Sequence, residues 1–162
     1  MRMSRRMGLN SIVRFKIPTF SGTYVLSGDE KKGQMVIKTS GTLTFLTNAK
    51  IDVFVVGGGT GGNYHGGGGG SGFTATRLSL DVPKGAYAVT VGAGGGKGDG
   101  NASMTNGLPG GQSKVVIGST NVSAGSGKGG GYTSASDTTP NYLSGSYGGS
   151  GGGGTGGRFS DD

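Results

Sequence analysis

From Gly57 onward one residue in three is glycine: of the chain's 41 glycines, only five precede that point. Ordering a glycine costs about 0.5–1 kcal/mol more backbone entropy than ordering an alanine. A segment of this composition therefore either stays a flexible linker or has something systematic to offset that cost. Close lateral packing of main chains is such a device, because only glycine lets two backbones approach with no Cβ between them.

The apolar residues are skewed the opposite way. Of 31 Ile, Leu, Val and Phe, 23 lie between Ile12 and Val91. "SIVRFKI", "TYVL", "QMVIK", "GTLTFLT" and "IDVFVV" mix β-branched and aromatic residues with partial alternation and read as short strands. Gly28-Asp29 and Gly33 supply a hairpin connection, while Ser40–Thr42 and Thr47–Lys50 are further turn signals. "IDVFVV" is the most apolar run and is expected in the middle of a sheet. In "FTATRLSLDV" the pattern puts Leu78, Leu80 and Val82 on one face, and Tyr87, Val89 and Val91 alternate after it. "SKVVIGSTNVSA" reads as a last hairpin turning near Gly118 to Asn121. No run of ten residues keeps a helical period, so the plan is all-β with no substantial helix. The glycine blocks each follow, or nearly follow, a strand. That predicts glycine segments entering and leaving one end of a β-domain several times.

Gly57-x-Gly59-x-x-Gly62 spells a dinucleotide fingerprint, but the third glycine must open a helix to hold the pyrophosphate. "NYHGGGGGSG" follows instead, and each glycine costs a helix about 1 kcal/mol relative to alanine. No nucleotide is expected. Gly96-Lys97 and Gly127-Lys128 fail as phosphate loops: Val91 and Val122 stand in place of the leading glycine, and Gly98 and Gly129 in place of the hydroxyl residue. His65 is the single histidine and there is no cysteine, so no metal set, disulfide framework or thiol nucleophile is expected. A serine triad using Asp52 or Asp81 lacks a nucleophile turn. Arg-Gly-Gly RNA-binding repeats are likewise missing, since only "GGRF" at Gly156–Phe159 touches that pattern. With no convergent acid, base or nucleophile, neither an enzyme nor a cofactor is expected.

The charge excess of +7 is local. Arg2, Arg5, Arg6, Arg14 and Lys16 precede the first acid, Asp29, and the remainder is nearly balanced. Such an arm either docks on an acidic partner surface or nucleic acid, or is a solvated terminus. The first residues have no apolar signal core, and no stretch approaches the ~20 apolar residues of a membrane span. Tyr64, Tyr132, Tyr142 and Tyr147 interrupt the glycine among Ser, Asn and Thr. They are candidates for a recognition surface, the alternative being soluble loops.

Packed polyglycine has a definite geometry. Like polyproline II it is an extended left-handed helix with three residues per turn and no internal hydrogen bonds. Neighbouring copies must then satisfy each other's amides and carbonyls. Thr60, Ser71, Lys97, Lys128 and Thr155 are expected at the rim of such a bundle.

"SGDEKKGQMVIKTSGTLTF", "IDVFVVGGGTGG", "YAVTVGAGGG" and "GGQSKVVIG" together resemble the glycine-rich domain of bacteriophage virion proteins, over about residues 20–131. The resemblance implies a small β-sandwich with packed polyglycine-II-type segments and no catalytic residue. It implies a virion structural protein such as a tail fibre, tail-tip or baseplate component. A capsid decoration protein, a head fibre or a host-binding adhesin are the alternatives. The expected organisation is a basic anchoring arm at 1–16, a glycine-rich sandwich at 17–131 and a Tyr/Ser/Gly-rich tail at 132–162. Expected partners are other virion proteins, further copies of the chain in a symmetric assembly, and a host cell-surface receptor. The expected location is the virion, after synthesis in the host cytoplasm.

Overall fold

The structure is a computed structural model in which residues 16–28, 33–62, 68–98 and 107–127 are described. Among them there is no helix. The strands are β1 (Thr19–Phe20), β2 (Tyr24–Gly28), β3 (Gly33–Ile37), β4 (Gly41–Phe45), β5 (Ala49–Val56), β6 (Thr74–Val82), β7 (Gly85–Thr90), β8 (Ser113–Ile117) and β9 (Thr120–Ala124). Five form an antiparallel sheet in the order β1-β4-β7-β8-β9, and β2–β3 and β5–β6 are separate two-stranded ribbons. The all-β reading is borne out. "SIVRFKI" falls mostly outside the described residues.

The core follows from period-2 patterning. Along β8, Ser113, Val115 and Ile117 are buried while Lys114 and Val116 are exposed. Val115 and Ile117 meet Leu43 and Phe45 of β4, Val122 of β9, and Leu80 and Val82 of β6. Met35 and Ile37 of β3 and Ile51, Val53 and Val55 of β5 pack against the same cluster. Both ribbons therefore cover one face of the five-stranded sheet, and the result is a small sandwich. The β8–β9 turn falls at Gly118, whose φ of 59° suits the two-residue hairpin joining Ile117 to Thr120.

Two expectations are corrected. β5 is not central: it pairs with β6 on one side and with no other strand among the described residues. Leu78 does not share a face with Leu80 and Val82. The β5–β6 register shifts between Ile51 and Val53, so Leu78 and Ser79 together oppose Asp52. Ser79 takes a φ of 52° and donates its amide to Asp52 Oδ1 at 2.8 Å. This bulge reverses the alternation and leaves Leu78 66% exposed.

Candidate functional site

Every described glycine segment springs from one end of the sandwich. Segment A (57–62) leaves β5, B (68–73) returns to β6, C (92–98) leaves β7, D (107–112) returns to β8, and E (125–127) leaves β9. The expectation of repeated exits from one end holds.

Segment A is the axis of the bundle, and its bonding repeats every three residues. The amides of Gly57 and Thr60 donate to Phe73 and Gly70 of B at 2.9 and 2.8 Å. Those of Gly58 and Gly61 donate to Gly111 and Leu108 of D at 2.9 and 3.2 Å. The carbonyls of Gly59 and Gly62 accept from Gly95 and Gly98 of C at 2.7 and 2.9 Å. Descending partner numbers make B and D antiparallel to A, and ascending numbers make C parallel. Gly127 of E adds a bond to the Gly58 carbonyl at 3.2 Å. C and D bond to each other with the same step, from Gly111 to Ala93 at 2.8 Å and from Leu108 to Gly96 at 2.9 Å. Three successive residues thus address three different neighbours, which is the signature of a threefold extended helix rather than a β-ladder.

Glycine is required here for space. Apart from Gly28 and Gly118, no described glycine has positive φ, so any L residue could adopt the backbone of these segments. What a side chain lacks is room. A Cβ on Gly58 or Gly61 would overlap the carbonyl oxygen of Ala93 or Gly96. On Gly69 or Gly72 it would meet Thr60 or Gly57, on Gly92 or Gly95 it would meet Gly111 or Leu108, and on Gly107 or Gly110 it would meet Gly61 or Gly58. Each pair is three residues apart. The side chains present sit in the other registers: Ala93 and Lys97 in C, Ser71 and Phe73 in B, Leu108 and Pro109 in D. Ser71 and Lys97 are exposed at the rim, as expected. Thr60 is half-buried instead, and its hydroxyl receives the Gly70 amide at 2.7 Å. Lys128 and Thr155 lie outside the described residues. The three-residue spacing of glycine within each segment was the sequence signal for this arrangement.

Of the predicted site residues, Lys16 is described and exposed. Arg2, Arg5, Arg6 and Arg14 lie outside the described residues, as do Tyr64, Tyr132, Tyr142, Tyr147 and His65. Asp52 holds the β-bulge, and Asp81 pairs with Lys50 at 3.4 Å directly across the ribbon, with both side chains in solvent. No cluster of metal-ligating residues occurs among the described residues.

A second feature escaped the sequence reading. A cleft of about 1120 Å³ separates β3 from β5, floored by Leu43, Phe45, Val115 and Ile117. Phe54 (66%), Val56 (50%) and Val36 (45%) are exposed beside it. The signal was in β5, whose two faces are both partly apolar, unlike those of an ordinary outer strand.

A family model described as a glycine-rich domain matches residues 37–161, taking in β4 to β9 and all five glycine segments. No curated protein and no solved structure matches the chain.

Proposed function

The chain belongs to the glycine-rich domain family, and on that premise we propose that it is a non-enzymatic structural protein of a bacteriophage virion. It is a surface appendage of the tail fibre, tail-tip or baseplate kind, present in several copies and docked on other virion proteins through its basic arm. The observation that carries this reading is the hydrogen-bonded glycine bundle around segment A. Such a body is stiff, polar and built without a hydrophobic core, which suits a projecting spacer on a particle.

The docking element is Arg2, Arg5, Arg6, Arg14 and Lys16, a block of like charge that precedes every acid. Deleting residues 1–14 is expected to abolish incorporation into particles, read by mass spectrometry of purified virions, while circular dichroism of the sandwich is unchanged. Normal incorporation of the truncated chain would remove this reading.

A specific observation favours a receptor-binding role beside the structural one. Gly62 and Gly98 are bonded to each other at the bundle end remote from the sandwich, and Gly107 packs on Gly61 there. The described residues Gly62 and Gly98, which precede Tyr64 and residues 99–106 in sequence, therefore lie side by side at that end. Replacing Tyr64, Tyr132, Tyr142 and Tyr147 with Ala is expected to reduce adsorption to cells and leave incorporation intact.

A further inference from the structure

The polyglycine segments take their register from the strands they continue. In the five-stranded sheet Val89 faces Val115 and Thr90 faces Lys114. The same step carried past the strand ends sets Ala93 opposite Gly111 and Gly96 opposite Leu108. Those are the pairs that bond between C and D. In the ribbon, Val55 faces Ala75 and Val56 faces Thr74. Carried on, that step sets Gly57 opposite Phe73 and Thr60 opposite Gly70, again the pairs that bond between A and B. Glycine itself cannot choose such a register, since Gly66–Gly70 is an unbroken run with nothing to tell one slip from the next.

The register that A and B inherit is not the one at the ribbon's far end. There Ala49 faces Val82, Lys50 faces Asp81 and Ile51 faces Leu80. Continued without a break, that ladder would set Phe54 opposite Arg77, Gly57 opposite Thr74 and Thr60 opposite Ser71. Phe73 would then take the place of Gly72 beside Gly57, where even a Cβ overlaps the Gly57 carbonyl oxygen. The bulge removes this conflict by setting Leu78 and Ser79 together against Asp52. We propose that the bulge at Asp52 is a register-setting device for the bundle. It takes up one residue of β6, so that glycine and not Phe73 meets segment A.

The ribbon itself loses by this arrangement. Ser79 sits at a φ of 52°, uncommon for a residue with a side chain, and Leu78 is left 66% exposed. An unbroken ladder would avoid both, turning Leu78 to the face of Leu80 and Val82. Asp52 Oδ1, accepting the Ser79 amide at 2.8 Å, holds the extra residue at this one place. Asp52 is thus a positioning residue for the amides of Gly57 and Thr60, further along the chain. The device acts within one chain and does not rest on the virion reading.

Nuclear magnetic resonance on the full chain reads both the register and its consequence. In the unaltered protein, cross-strand contacts are expected between Phe54 and Thr76, with slow exchange at the Gly57 and Thr60 amides. Asp52→Ala is expected to bring Phe54 opposite Arg77 and to speed exchange at those two amides by at least about tenfold. Deleting Ser79 as well removes the extra residue. It is expected to restore both the Phe54–Thr76 contacts and the protection, with Asp52 still absent. Unchanged Phe54–Thr76 contacts in Asp52→Ala, whatever the exchange, would overturn the proposal, and so would a deletion that restores neither. If Asp52→Ala does not fold, deletion of Ser79 alone decides. Regular pairing then runs from Ala49 and Val82 to Val56 and Thr74, so the Gly57 and Thr60 amides are expected to keep their protection. Loss of that protection, or of the fold, defeats the proposal.

Discussion

In the sandwich the chain repeats every two residues and side chains do the packing. In the bundle it repeats every three, and a side chain must be absent wherever a neighbouring segment packs closely, as at Gly57, Gly58 and Gly61. The two regions share strands end to end: Val56 closes β5 and Gly57 opens segment A, with no turn described between them. What changes at that junction is the source of cohesion. In the sandwich, the buried Leu43, Phe45, Val82 and Ile117 remove apolar area from water. In the bundle, backbone amides satisfy the carbonyls of neighbouring segments, each bond contributing about 0.5–1.5 kcal/mol. The sandwich therefore tolerates change where volume is conserved, and the bundle where nothing is added.

Opposite changes of size should expose this contrast. Phe45 is 2% exposed at the centre of the sandwich. Phe45→Ala is expected to cost about 3–5 kcal/mol, measured by denaturant unfolding, because it leaves a cavity. In the bundle the harmful change is an addition. Gly58→Ala drives a methyl into the Ala93 carbonyl and is expected to cost about 1–3 kcal/mol. If Gly58→Ala were neutral, the segments could not be packed as closely as their hydrogen bonds require.

A smaller effect is expected where a side chain has been built into the axis. Thr60→Val keeps the shape of the side chain but removes the hydroxyl that receives the Gly70 amide at 2.7 Å. The expected loss is about 1 kcal/mol, with faster exchange confined to segments A and B. Faster exchange spread evenly through the sandwich would mean that the two regions are a single cooperative unit, and the comparison would lose its point.

Much of the sandwich was legible because period-2 alternation reports burial directly. β7, β8 and β9 were readable from "AYAVTV" and "SKVVIGSTNVSA". Leu78 was not, because the bulge opposite Asp52 depends on a single backbone residue, Ser79, that carries no turn signature. Nor was the outer position of β5, since an apolar run looks the same in a central strand as in one that pairs on a single side among the described residues. The bundle was legible in kind, from glycine content and its position after strands. The partners of each segment were not, because bonds such as Gly98 to Gly62 join residues far apart in sequence whose own composition is uniform.

The finest test of the comparison lies within a single segment. Gly94 and Gly95 are neighbours in C. A Cβ on Gly95 would strike the Leu108 carbonyl, whereas one on Gly94 meets nothing within 4 Å. Neither has positive φ, so the backbone penalises alanine at neither position. Gly94→Ala is accordingly expected to stabilise the protein by about 0.4–1 kcal/mol, through the entropy removed from the unfolded chain. Gly95→Ala, with the same entropic gain, is expected to destabilise it because the clash outweighs that gain. A change of sign between adjacent glycines cannot come from composition, flexibility or solubility, which the two substitutions share. It requires that C present the same register to D along its length, with every third residue inward. If thermal unfolding gave both variants the same sign, the three-residue register of segment C would be wrong, however regular its hydrogen bonds.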